Sequence, residues 1–191
     1  MSDAKSKIRK GILYNRRLLA PTVFQARNQR VIEQLIGFCQ KNQVKSVHCF
    51  LPIKRNKEVD TWPLINALTD QMVQVVVSAT DFEKRTMSHF EYSVTLQFEN
   101  DRFGIPTPVQ GTPAEMSNVD MVVIPLLAAD KKGNRIGYGK GYYDRLLTEM
   151  PSNVLKVGVT LGPLCDHFRL AEPHDISLDY VITSFETVKC N

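Results

Sequence analysis

The sequence has few of the features that mark a disulfide-bonded, finger-like or membrane-spanning protein. Its four cysteines, Cys39, Cys49, Cys165 and Cys190, form no CxxC pair and no finger-like spacing with the four histidines. That usage fits reduced thiols in a cytosolic protein. No apolar run approaches the length needed to cross a bilayer. Acids are scarce at the start: through Lys41 there are nine Lys or Arg against two acids, and the remaining 150 residues carry fifteen against eighteen. The net charge of +4 is therefore an N-terminal feature. Such a start can mark a mitochondrial presequence; the same segment also reads as a structural helix, and a cytoplasmic protein is expected. Internal repeats and low-complexity tracts are absent. The 191 residues, 43% hydrophobic and 23% charged, suffice to bury a core without disulfides, as a single domain over residues 1–191.

What is present is an alternation of helical and strand-like patterns. Ser2 to Leu19 is helical, and Ala20-Pro21-Thr22 breaks it. At 100° per residue Ile8, Ile12 and Leu19 form a narrow apolar stripe, with Lys5, Arg9 and Arg16 aligned beside it. Val23 to Cys39 predicts a second helix, Val44 to Leu51 a strand, and Thr61 to Thr69 a helix. "QMVQVVVSAT" reads as a buried strand, and Met87 to Phe98 as a half-exposed one. "FGIPTPVQGTP" has the composition of a loop. Val119 to Leu127 is apolar on both faces, as a central parallel strand would be. Tyr142 to Met150 predicts a short helix, "VLKVGVT" a strand and "DYVIT" a last strand. The fold class expected is α/β: a mostly parallel central sheet flanked by helices on both faces, a Rossmann-like three-layer arrangement.

The stretch "GNRIGYGKGYYDRLL" concentrates four of the ten glycines in nine positions, Gly133 to Gly141. It follows the strongest strand, where open α/β sheets place their ligands. Gly137, Gly139 and Gly141 alternate, so the backbone can take positive φ and turn several N–H groups toward one anion. The helix starting near Tyr142 would aim its positive end at the same point, and Arg135 and Lys140 add charge. A polyphosphate suits that arrangement; a flexible surface turn is the alternative. No GK[ST] closes the loop and the third glycine comes one residue early for a dinucleotide fingerprint. Asp144, in the first helical turn, suits either the helix dipole or a Mg²⁺ ion shared with phosphate oxygens. No Ser/His or Cys/His arrangement stands out.

"PLLAADKKGNRIGYGKGYYDRLL" closely resembles the signature of the 5-formyltetrahydrofolate cyclo-ligases, also called methenyltetrahydrofolate synthetases. "KSKIRK" is similar to the family's Lys-x-x-x-Arg helix opening, "FLPIKRNKEVDT" to the segment ending the first strand, "FGIPTP" to an aromatic-x-Ile-Pro-x-Pro loop and "PHDISLDYVIT" to the closing segment. The resemblance implies conversion of ATP and 5-formyltetrahydrofolate, free or polyglutamylated, to 5,10-methenyltetrahydrofolate, ADP and phosphate through a phosphorylated formyl group. It implies that Lys5, Arg9, Arg135, Ile136, Gly137, Tyr138, Gly139, Lys140, Gly141, Tyr142 and Tyr143 bind ATP. Leu51, Glu58, Phe103 and the stretch Tyr138, Gly139, Lys140, Gly141 and Tyr142 would meet the folate. Asp144 and Asp175 would hold Mg²⁺, His174 would shape a turn, and Arg135, with Lys140 second, would stabilise transition-state charge. A monomer is expected, with no nucleic-acid or membrane partner. Two rivals remain at this point: a nucleic-acid module built on the basic N-terminal helices, though it lacks aromatic interleaving, and an α/β enzyme of sugar phosphates or CoA esters needing no ATP.

Overall fold

The computed structural model describes residues 3–165 and 176–190. The chain runs α1 (Asp3–Arg17), α2 (Pro21–Lys41), β1 (Ser46–His48), a 3-10 turn (Lys54–Asn56), α3 (Trp62–Asp70), β2 (Gln74–Asp81) and β3 (Thr86–Glu91). It continues through β4 (Phe98–Asn100), β5 (Pro106–Pro108), a second 3-10 turn (Met116–Asn118), β6 (Met121–Pro125), β7 (Ala128–Ala129) and β8 (Arg135–Ile136). Then come α4 (Tyr142–Glu149), β9 (Leu155–Thr160), β10 (Tyr180–Thr183) and β11 (Thr187–Lys189). Seven strands form one sheet in the order β11-β10-β9-β6-β1-β2-β3. Its five inner strands are parallel, and the edge strands β3 and β11 run antiparallel to their neighbours.

The alternation along β6 shows why this strand is apolar throughout. Met121 and Val123 join the core under α2 and α3, while Val122 and Ile124 join the one under α4. Successive side chains point to opposite faces, and both faces are covered. On α2 the buried residues Asn28, Val31, Ile32, Leu35, Phe38 and Cys39 recur at helical spacing and face the sheet. Each Leu or Ile buried this completely stabilises the fold by about 1.5–3 kcal/mol. Cys39 and Cys49 are core thiols that desolvation pushes up to about 12, which removes them as nucleophiles.

Three expectations need correction. The Pro/Gly-rich stretch is not all loop: β5 within it pairs antiparallel with β4, and the strand expected to run to Phe98 stops at Glu91. The β4–β5 hairpin is set by Asp101, whose Oδ1 accepts the amides of Phe103 at 2.7 Å and Ile105 at 2.8 Å and so closes a tight turn. "DYVIT" is not the last strand, because β11 folds back on β10. Finally, strand β1 is three residues long, since beyond His48 the chain bends toward the cleft described below. Among the described residues no helix is long and apolar enough to cross a membrane.

Candidate active site

The glycine-rich stretch is built on a small hairpin, β7 paired with β8. Asp130 is fully buried and fixes its turn: Oδ1 accepts the amides of Lys132 and Asn134, both at 3.0 Å, and Oδ2 accepts Asn134 Nδ2 at 2.8 Å. This turn delivers Arg135 to the mouth of a cleft of about 790 Å³, which lies over the ends of β1, β2 and β6. Its guanidinium, with the side chain only 7% exposed, donates to Asp144 and to the carbonyl of Ile176. Asp144 lies in the first turn of α4, so it completes both an ion pair and a favourable interaction with the helix dipole.

Two of the three alternating glycines take the backbone conformation expected of them. Gly139 has φ +78° and Gly141, the capping residue just before α4, has φ +70°. Gly137 has ordinary φ and open space where a Cβ would stand, so conformation does not require glycine there. At Gly139 the reason for lacking a side chain is also contact: a Cβ would lie 2.8 Å from Cζ of Arg9. Arg9 donates its Nε to the Gly137 carbonyl at 2.9 Å, while its buried Nη1 has no hydrogen-bond partner. A charged donor is thus held against the loop and left unsatisfied at the cleft wall, a costly arrangement unless an anion completes it.

Of the candidate residues within the described part of the chain, all but one line this cleft: Lys5, Arg9, Leu51, Glu58, Phe103, Arg135, Gly137, Tyr138, Gly139, Lys140, Gly141, Tyr142, Tyr143 and Asp144. The exception is Ile136, which is 2% exposed and packs beneath the loop with Ile8 and Ile12. Asp175 and His174 fall outside the described residues. Lys5, Arg9 and Arg16 do not form a solvated face, although Lys7, Lys10 and Arg17 on the same helix are exposed. Lys5 and Arg16 are each 7% exposed, and α1 is packed into the site.

Glu58 reaches the cleft because the chain reverses at Lys57, which has φ +45°. Its Oε2 accepts the Ile53 amide at 2.5 Å, Tyr138 donates to the same carboxyl group, and Arg16 lies nearby. Burial raises its pKa above the ordinary 4.5, against the lowering effect of those partners. Tyr138 is likewise raised, chiefly by desolvation. Phe103 meets Phe82 edge-on with centroids 4.7 Å apart, and Arg102 lies 5.0 Å from the Phe103 ring centre. Phe82 in turn meets Tyr142, so an aromatic wall with a cation upon it bounds the far end.

The sequence model of the 5-formyltetrahydrofolate cyclo-ligase family matches residues 1–184. The chain belongs to that family. A 5-formyltetrahydrofolate cyclo-ligase of Mycolicibacterium smegmatis is 26% identical, over 94% of this chain and 93% of the relative. The solved 5,10-methenyltetrahydrofolate synthetase of Aquifex aeolicus superposes with a TM-score of 0.82 at 29% identity, covering 97% of this chain and 92% of that one. A synthetase from Mycoplasma pneumoniae, at 24% identity and TM-score 0.72, shares the fold across 95% of this chain and 98% of its own.

The sequence aligns Arg16 with Lys5 and Arg9 but assigns it no role, and it leaves His48, Ser78 and His89 unmarked. Arg16 donates to the Asn56 carbonyl at 2.7 Å, to the Leu126 carbonyl at 3.2 Å and to the Tyr138 hydroxyl. One guanidinium therefore ties α1 to the turn before Glu58, to the exit of β6 and to the glycine loop. Its signal was available, since position 16 shares the helix face of positions 5 and 9. A Ser/His arrangement is also present, contrary to expectation: Ser78 sits between His48 and His89.

Proposed function

We propose that this cyclo-ligase family member cyclises 5-formyltetrahydrofolate to 5,10-methenyltetrahydrofolate at the expense of ATP, releasing ADP and phosphate. The observation that carries the reading is the buried, unpartnered Nη1 of Arg9, pressed against Gly139 where the loop and the start of α4 converge. Backbone N–H groups, a helix N-terminus and cations at one point form a site for a triphosphate. Lys5 and Arg135 add charge on the same wall.

The chemistry asked of the protein is alignment and charge neutralisation. The formyl oxygen takes the γ-phosphoryl group and ADP leaves, giving an imidate-like phosphate ester. N10 of the folate then adds to the activated carbon and loses its proton, the carbon–oxygen bond breaks, and phosphate departs. Glu58 holds the folate through its remaining lone pairs, with Leu51 and Phe103 beside the ring. Arg135, with Lys140 second, offsets charge developing on the transferred group. On this reading the protein works as a cytoplasmic monomer.

Mg²⁺ fits the site in one manner. Among the described residues no group of three or more His, Cys, Asp or Glu could hold a metal. Asp144, one of two carboxylates lining the cleft with Glu58, suits an ion bound mostly by phosphate oxygens and water, with Asp175 a second candidate. Bound there, the ion would supply charge neutralisation for the phosphates. Asp144→Asn is expected to shift the metal titration of activity to higher Mg²⁺; an unchanged titration leaves Asp144 as the partner of Arg135 and the helix dipole only.

Gly139→Ala tests the loop. It forces a residue with a Cβ to φ +78° and displaces the Arg9 guanidinium. The left-handed strain alone, about 1–2 kcal/mol, corresponds to roughly tenfold weaker ATP binding. Unchanged ATP affinity would remove the loop from nucleotide binding. The activity itself is tested by mixing protein, Mg²⁺, ATP and 5-formyltetrahydrofolate and following the near-ultraviolet absorption of the methenyl product. Product formed equally well without ATP would overturn the reading.

A further inference from the structure

On the α4 side of the sheet, three polar side chains from adjacent strands form a hydrogen-bonded row. Ser78 Oγ lies 2.7 Å from His48 Nε2 and 2.8 Å from His89 Nδ1. Register accounts for the row: Ser78 is paired with His89 across β2 and β3, and His48 is paired with Val76, one same-face position earlier on β2. His48 is 1% exposed, packs edge-on against His89 and Tyr143, and its Nδ1 has no partner. Ser78 borders the cleft, followed on the same face of β2 by Thr80, and Phe82, in the turn beyond the strand, lines the cleft as well.

This geometry has a direction. Burial pushes His48 down to about 3, so the ring is neutral and carries one proton. Placed on Nδ1, that proton would be a buried N–H with no acceptor. Placed on Nε2, it is donated to Ser78 and Nδ1 is left as an unpaired acceptor, the better tolerated of the two defects. The serine hydroxyl has one proton of its own, which His89 Nδ1 then accepts. Both hydrogen positions around Oγ are taken, and one lone pair remains.

We propose that Ser78 is a specificity-determining residue that presents a fixed, acceptor-only oxygen to the cleft and accepts an N–H from the planar heterocycle of a substrate. The flat-ring class follows from the wall beside it, where Phe82, Phe103 and Tyr142 stand edge to face. The assignment rests on the proposed reaction, whose two substrates, ATP and the folate, each carry an amino-substituted ring. A hydroxyl locked in this sense disfavours any ring that offers a carbonyl or bare nitrogen at the same place, because two acceptors then face each other.

The row can be tested on the wild-type protein by ¹⁵N NMR of labelled histidines, which distinguishes ring tautomers. Both His48 and His89 are expected as neutral Nε2–H forms; an Nδ1–H form of either ring overturns the direction of the row. Binding of ATP, of inosine triphosphate and of 5-formyltetrahydrofolate is then measured separately for wild type, Ser78→Ala and Ser78→Thr. Ser78→Ala is expected to weaken one substrate by about tenfold and to spare the other, the size of one lost hydrogen bond, and Ser78→Thr, which keeps the hydroxyl, restores it. If adenine is the donor, wild type prefers ATP over inosine triphosphate and Ser78→Ala loses the preference. If the pterin is the donor, only the folate weakens. Unchanged affinities in Ser78→Ala, or equal loss of both ligands, overturn the proposal. A wild type that binds neither ATP nor the folate overturns the functional reading as well, and is told apart because it precedes any substitution.

Discussion

Replacing Arg135 by alanine is expected to lower turnover by roughly a hundredfold or more, the usual consequence of removing one preorganised transition-state donor. The side chain is 7% exposed and held by Asp144 and the Ile176 carbonyl, so its donors need little reorganisation when charge develops nearby. The loss should fall on catalysis rather than on folding. Asp144, left without its partner, has a side chain 37% exposed and can be solvated, so it is not stranded as a buried charge. A melting temperature near wild type with kcat reduced is the expected pattern. Arg135→Lys should rescue poorly, since an ammonium cannot serve a carboxylate and a carbonyl with the fixed fork of a guanidinium. Near wild-type turnover in Arg135→Ala would remove this residue from the catalytic set.

Glu58→Gln should raise the KM for the folate by about tenfold or more and leave the KM for ATP nearly unchanged, because hydrogen bonds to a carboxylate are worth about 1.5–3 kcal/mol. Equal effects on both constants would argue against a pterin contact. The same substitution has a stability signature. The folded carboxyl binds its proton more tightly than in the unfolded chain, where the ordinary value is 4.5. Its contribution is therefore fully present below that value and is lost as pH rises through the higher folded value. Thermal unfolding of wild type should show that decline, and Glu58→Gln should show a flatter profile over the same range. A decline of equal steepness in the variant would assign it to other groups.

Both predictions rest on residues that were legible in different degrees. Arg135 could be read because it precedes a run of glycines after a doubly apolar strand, and the cleft duly forms there. Glu58 stood out only through likeness to a family segment; the turn at Lys57 that points it inward depends on a left-handed residue that is not glycine, which local propensity does not foretell. Ile136 was grouped with the nucleotide loop by adjacency, yet its side chain packs away from the cleft against α1. Neighbours in a strand face opposite sides, so contiguity in a motif does not mean a shared surface.

What the sequence determined by itself was whatever depends on near neighbours: the apolar face of α2, the two-sided burial of β6, the positive-φ glycines before α4 and the cationic line on α1. These follow from helix and strand periods and from the missing Cβ, which act over a few residues. Only the tertiary structure decided the rest. It turned Arg16 inward as a tie between four segments, placed Ser78 between histidines 30 and 11 residues away, and paired Arg135 with Asp144. Such contacts follow from strand order and register, which are properties of the whole sheet and are written in no single stretch of chain.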